Sequence, residues 1–227
     1  MLGDLLFIEP IIKHLTNQGN TIIWPVKDQY LWIKDYFYYP GIVKQSQYNI
    51  DYEDIKIRPD YIPLRFATPL FRETDPHSGQ FHEHFMLDKY RLLDLPLDMW
   101  RTLGWNRNYE KEDQLFKQLG LSGGDDYTLV NMFFKDIYEP QPEMAATEWI
   151  GGKTVFMKPI EGFTLLDWTK VILQASSIHT VETALIDMIE VLPVNAELHM
   201  YCRWPYDGSL NGVKNFISDK WIRHEKD

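Results

Sequence analysis

After residue 125 the chain alternates short β-branched and aromatic runs with runs of helical period, and this alternation narrows its possible folds most. Tyr127-Thr128-Leu129-Val130-Asn131-Met132-Phe133-Phe134 reads as a strand and Lys153 to Met157 as another. Leu165 to Leu173 follows as a helix, Ser177 to Thr180 as a short strand or turn, and Val181 to Leu192 as a second helix. Leu198 to Cys202 completes the series as a strand, with Val213 to Ile217 a short helix. Strands separated by helices pair in parallel, because a crossover returns each strand to the same end of the sheet. The expected class is α/β.

The first half carries fewer strand signals. Gly3-Asp4 opens a segment with apolar residues at Leu5, Ile8, Ile11, Ile12 and Leu15, then Gly19, then the strand-like Thr21-Ile22-Ile23-Trp24-Pro25-Val26. That order reads as loop, helix, glycine stop, strand. Pro10 either kinks the helix or lies in the first turn of its regular part. The aromatic run Tyr30 to Tyr39 is read as packing. Ile55-Lys56-Ile57 and Tyr61-Ile62-Pro63-Leu64 suit short strands, and Thr74 to Gly79 has turn chemistry. Phe81 to Leu93 and Glu110 to Leu119 read as helices joined through Trp100 to Tyr109, with Gly120 stopping the second. Leu121 to Asp126 is the best linker, which divides the chain into domains at 1–122 and 123–227.

Of 227 residues, 44% are hydrophobic and 15% aromatic, enough for packed cores and too much for a disordered chain. The net charge of −10 argues against nucleic-acid binding through a global field. No apolar run approaches the ~20 residues a membrane span needs, and no basic leader precedes Leu5, so no integral membrane segment and a cytoplasmic location are expected. Cys202 is the single cysteine; it has no partner for a disulfide and reads as a buried, inert thiol.

Within the second half, Ser176-Ser177-Ile178-His179-Thr180-Val181-Glu182-Thr183 runs into the apolar-periodic Ala184-Leu185-Ile186-Asp187-Met188-Ile189-Glu190. A helix beginning near Thr180 presents unpaired N–H groups and a positive dipole end to hydroxyls, an imidazole and a carboxylate, a setting suited to an anion. The same residues also describe a capped core helix, with Ser177 or Thr180 as cap.

The run Leu2-Gly3-Asp4-Leu5-Leu6-Phe7-Ile8-Glu9-Pro10-Ile11-Ile12-Lys13-His14-Leu15 resembles the Gly-Asp-x-x-x-x-x-Pro opening of heptosyltransferase-like glycosyltransferases, which have the GT-B fold of two Rossmann-like domains. Gly162-Phe163-Thr164-Leu165-Leu166-Asp167-Trp168, with Ala175 to Thr183, is similar to the donor-site region of related sugar transferases. The family has a strand ahead of its Gly-Asp loop; here only Met1 and Leu2 precede Gly3, so the N-terminal domain is expected to lack its first strand. A sheet with that position open favours a homodimer or another partner chain.

The resemblance implies transfer of a sugar from a nucleotide-sugar to a hydroxyl on a glycan or lipopolysaccharide-type acceptor. Asp4 is then the general base, with Gly3 beside it. The donor meets the helix N-terminus at Thr180 to Thr183, Ser177 and His179 donate to phosphate, Glu182 accepts from ribose hydroxyls, and Lys135 adds positive charge. No metal or further cofactor is implied, since helix N–H groups and side chains meet the diphosphate. Two other readings stay open: a non-catalytic binding protein of the same fold, and a nonhydrolysing sugar-nucleotide epimerase.

Other motifs are discounted. His77, His82 and His84 with Asp75 and Glu83 lie where a loop enters a helix, and histidines two apart point to different helix faces. Glu182 and Glu190 have the Glu-x7-Glu spacing of some retaining GT-B enzymes, but an eight-residue step leaves them about 80° apart on a helix. No phosphate-binding loop, dinucleotide fingerprint, nucleophile elbow or zincin motif is present.

Overall fold

The structure is a computed structural model that describes residues 2–44, 85–91, 93–132, 153–201 and 217–224. It is mixed α/β. The helix α1 (Leu2–Asn17) is followed by β1 (Trp24–Val26), a 3₁₀ turn (Asp28–Ile33) running into α2 (Lys34–Phe37), and β2 (Ile42–Lys44). Then come α3 (Phe85–Arg91), a 3₁₀ turn (Leu97–Thr102), α4 (Tyr109–Gln118), β3 (Tyr127–Asn131) and β4 (Lys153–Phe156). A 3₁₀ turn (Leu165–Trp168) leads into α5 (Thr169–Gln174), and β5 (Ser177–Val181), α6 (Ala184–Val191), β6 (Glu197–Tyr201) and β7 (Trp221–His224) complete the described elements.

The alternation in the second half produces the expected parallel sheet. Five parallel strands lie in the order β4-β3-β5-β6-β7. The chain steps from β3 out to β4, returns past β3 to β5, then continues outward, so its winding reverses between β3 and β5. The inner strand β3 is buried at every residue, as a strand covered on both faces must be, while the outer β4 and β7 are partly exposed. A second sheet pairs β1 with β2 in parallel, Trp24 opposite Ile42. Gly41 permits its close approach, since a Cβ there would sit 1.7 Å from the Ile22 carbonyl oxygen.

A continuous core joins both halves. Leu6, Phe7, Ile11 and Ile12 of α1, Leu185, Met188 and Ile189 of α6, and Leu129, Ile178, Leu198 and Met200 of the sheet belong to it. Phe7 stacks on Trp100 at 5.3 Å and meets Tyr90 edge-on at 5.4 Å. Fully burying each of these large side chains contributes about 1.5–3 kcal/mol. The helix α1 packs on α6, on α3 and on the turn Leu97–Thr102, which places its amino end over the amino end of α6. The Tyr36 hydroxyl, donating to Asp167 at 2.5 Å, is a further tie between the halves.

Several expectations change in detail. The helix α1 runs from Leu2 to Asn17 with Pro10 well inside it, not in its first turn, and Asp4, which also suits a helix N-cap, lies within the first turn. The strand expected over Thr21 to Val26 is the shorter Trp24–Val26. The helix expected to begin near Thr180 begins at Ala184, because β5 keeps Thr180 and Val181: Thr180 pairs with Asn131 and Met200, and Val181 with Tyr201. Gly120 does terminate α4, with φ of +67°. The aromatic run packs largely as expected, with Tyr36 and Phe37 buried and Tyr38 69% exposed. The readings on residues 55–64, 74–84, Lys135, Cys202 and 213–216 lie outside the described residues. Among the described residues no helix is long and apolar enough to cross a membrane, and no group of three or more His, Cys, Asp or Glu is placed to hold a metal.

Candidate functional site

In parallel α/β sheets, ligands bind beyond the carboxyl ends of the strands where the winding reverses. Here that point lies between β3 and β5. β3 ends in Asn131, whose Nδ2 donates to the hydroxyls of Thr180 and Thr183, both at 3.0 Å. Thr183 is the N-cap of α6; its hydroxyl also accepts from the Leu185 N–H at 3.4 Å. Asn131 therefore fastens the end of one strand to the loop that launches α6. Glu182 is half-buried in that loop, between β5 and Thr183.

The amino end of α1 meets this point from the other half of the chain. A Cβ on Gly3 would lie 3.2 Å from Asp187 Oδ2 and 3.6 Å from the Ala184 Cα, so the helices touch where Gly3 has no side chain. Asp4, one residue on, accepts an ion-paired hydrogen bond from Lys89 of α3 at 2.9 Å. Lys89 is buried, with its side chain 4% exposed, while that of Asp4 is 28% exposed. Asp187 is buried in the first turn of α6.

Each charge responds to these neighbours. Burial raises the Asp4 carboxyl, but opposing charges and hydrogen bonds, Lys89 foremost, leave it below the usual carboxylate range. Burial together with the Asp4 charge holds Asp187 well above that range, against the pull of Lys89. Lys89 is lowered, because burial outweighs its attraction to Asp4. Two carboxylates pushed in opposite directions beside one buried ammonium are the kind of perturbed group that marks functional sites.

The predicted residues separate into two sets. Thr180, Glu182 and Thr183 lie together at the end of β5 and in the β5–α6 loop, and Gly3 meets the next residues, Ala184 and Asp187, with Asp4 beside it in α1. Ser177 does not lie there: it begins β5, so about 13 Å of extended strand separates it from the loop. His179 projects from the opposite sheet face to Thr180, by strand alternation. There it stacks on His199, with ring centroids 4.1 Å apart, and pairs with the Tyr201 hydroxyl at 3.1 Å. His199 in turn contacts His224 at 3.0 Å. Burial, followed by the charges of His199 and His224, pushes His179 down to about 4, so the ring is neutral at pH 7.

Glu190 is occupied elsewhere. It accepts from Arg101 at 2.6 Å, from the Ser218 N–H at 3.1 Å and hydroxyl at 2.8 Å, and from Trp221 at 2.6 Å. These bonds anchor α6 to β7 and to the turn Leu97–Thr102.

Sequence reasoning missed Asn131, Lys89 and Asp187 as site residues. Asp187 had a signal, a lone carboxylate within Ala184-Leu185-Ile186-Asp187-Met188-Ile189. Asn131 had a weaker one, the polar residue of an otherwise apolar strand end. Lys89 had none, because its partner lies 85 residues away. Comparison with protein-family models, curated proteins and solved structures returns no match.

Proposed function

We propose that the chain is a glycosyltransferase that moves a sugar from a nucleotide-sugar donor to a hydroxyl acceptor. One observation carries the reading: Gly3, in the first of the two segments whose sequences resemble opposite sides of a glycosyltransferase cleft, meets Ala184 and Asp187 in the first turn of α6, directly after the second segment ends at the cap Thr183. In the finer form of the reading, the halves before and after residue 122 are two Rossmann-like domains, the first bearing the acceptor and the second the donor.

The chemistry needs three things from the protein. The donor diphosphate must be held as charge builds on it, and the amino end of α6, capped by Thr183, offers N–H groups and a positive dipole end. The ribose needs an acceptor, for which Glu182 stands at the carboxyl end of β5. The acceptor hydroxyl needs a base, and Asp4 is held ionised and partly exposed at the head of α1. In the transfer, the acceptor oxygen bonds to the anomeric carbon. The bond from that carbon to the diphosphate oxygen breaks, its electron pair leaves with the diphosphate, and the hydroxyl proton passes to Asp4. A base as weak as Asp4 suffices when the hydroxyl loses its proton late, after bonding has made it acidic.

Thermal shift with UDP, GDP, ADP, CMP and dTDP, alone and as common sugar conjugates, tests the donor site. A ligand at 100 times its Kd adds about 2.7 kcal/mol of stability. One nucleotide is expected to stabilise the wild type and not Glu182→Ala, while His179→Ala retains the shift. If no nucleotide shifts the wild type, the glycosyltransferase reading is lost. If one does, Asp4→Asn is expected to abolish transfer without abolishing that shift.

A further inference from the structure

Lys89 is the one buried cation among the described residues, and it is ion-paired with the more exposed Asp4. With its side chain 4% exposed against 28% for Asp4, an acceptor reaches the carboxylate and not the ammonium. Asp4 and Asp187 both lie within electrostatic range of Lys89, and Glu190 lies within range of Asp187. Glu190 has its own cations in Arg101 and Lys220. Of the two carboxylates, Asp4 has both Lys89 and the amino terminus near it, whereas Asp187 is buried with the Asp4 charge beside it, and an uncompensated buried anion is costly. Asp4 has the direct 2.9 Å contact with Lys89 and the greater exposure, so the proton belongs to Asp187.

We propose that Lys89 and Asp187 are positioning residues for Asp4: Lys89 fixes the Asp4 carboxylate at the head of α1, and Asp187, lodged against Gly3, sets the spacing of α1 from α6. The inference rests on the transfer reading for the task it assigns to Asp4. Under that reading Lys89 keeps Asp4 in the form that accepts a proton. Neutral Asp187 lets the amino ends of two helices close on each other without placing a second negative charge beside the donor phosphates.

The test is a site-specific NMR titration of the Asp4 carboxyl carbon in the full chain, assigned with Asp4→Asn. The α-amino group is acetylated, because the amino terminus is the other cation near Asp4. Lys89→Met is expected to raise the Asp4 midpoint by at least about one pH unit, a tenfold change in proton affinity. Lys89→Arg is expected to restore most of the difference, and Asp187→Asn, which mimics the neutral acid, to leave the midpoint within about half a unit of wild type. A folded Lys89→Met chain with an unmoved Asp4 midpoint overturns the proposal. Should Lys89→Met fail to fold, Asp187→Asn decides: an Asp4 midpoint lowered by a unit or more means that Asp187 was ionised, and the proposal fails. The nucleotide panel on the same proteins separates the two readings. An unmoved midpoint with nucleotide binding intact removes only the positioning role; a moved midpoint with no nucleotide bound by wild type removes the transfer reading instead.

Discussion

Asp187 and Glu190 stand one turn apart on the buried side of α6, yet their surroundings treat them in opposite ways. Glu190 receives hydrogen bonds from Arg101, Ser218 and Trp221, and despite the opposing effect of burial its carboxyl is held below the usual range. Asp187, buried and with Asp4 beside it, is held well above despite the pull of Lys89. Glu9 on α1 lies between these cases: burial raises it, and the Tyr39 hydroxyl, donating at 2.5 Å, offsets this only in part. Burial is common to all three, so it does not decide which ionises. The number and charge of donors aimed at the carboxylate does. By that criterion the carboxyl end of α6 is an anchor and the amino end is a place where a proton can be held.

The largest effect expected from breaking the contrast is at the anchor. Glu190→Ala removes the acceptor for Arg101, Ser218 and Trp221 at once, leaving a cation and a buried indole N–H without their partner. Breaking such a network costs about 3–5 kcal/mol. Urea unfolding measures it; a loss below 1 kcal/mol means that the bonds to Glu190 are replaced by water at little cost.

A sharper comparison uses pH. Glu190 is lowered from its ordinary 4.5, so it contributes stability above that value which is lost as pH falls through the folded-state value. Asp187 is raised from 3.8, so the sign reverses: above 3.8 the unfolded chain releases a proton that the folded chain keeps, and stability falls as pH rises toward the folded-state value. Relative to wild type, Asp187→Asn should therefore gain stability as pH rises above 3.8, whereas the deficit of Glu190→Gln should shrink as pH falls below 4.5. Chemical denaturation across pH reads both slopes. Parallel profiles for the two variants would show that the two carboxyls ionise alike.

The sheet was legible in the sequence and its fine edges were not. Parallel pairing follows from the spacing of the apolar runs, and the stop at Gly120 follows from a left-handed conformation that glycine adopts readily. The start of α6 was misplaced because Thr180, Glu182 and Thr183 are all polar and Val181 suits either state. Pairing of Thr180 and Val181 with strands on both sides assigns them to β5, and only then does Thr183 become the cap. At the candidate site, Asp4 drew attention through its place in the Gly-Asp run, and the structure pairs it with Lys89. Lys89 and Ser177 were not legible, for opposite reasons: a long-range contact brings Lys89 in, and extension of β5 carries Ser177 away.

The smallest effect tests whether the donor rule extends to a cation. His179 is lowered to about 4 from 6.5 by burial first and by His199 and His224 second. Between these values the unfolded chain takes up a proton that the folded chain refuses, so stability is lost as pH falls from 6.5 toward 4. His179→Gln should flatten that part of the profile while costing little at pH 7, where the ring is neutral. Because the ring is only half-buried, solvent reduces the effect, and it should be smaller than the changes at Asp187 or Glu190. If the profile of His179→Gln runs parallel to that of wild type between pH 6.5 and 4, the ring is not held neutral by its burial in the folded chain.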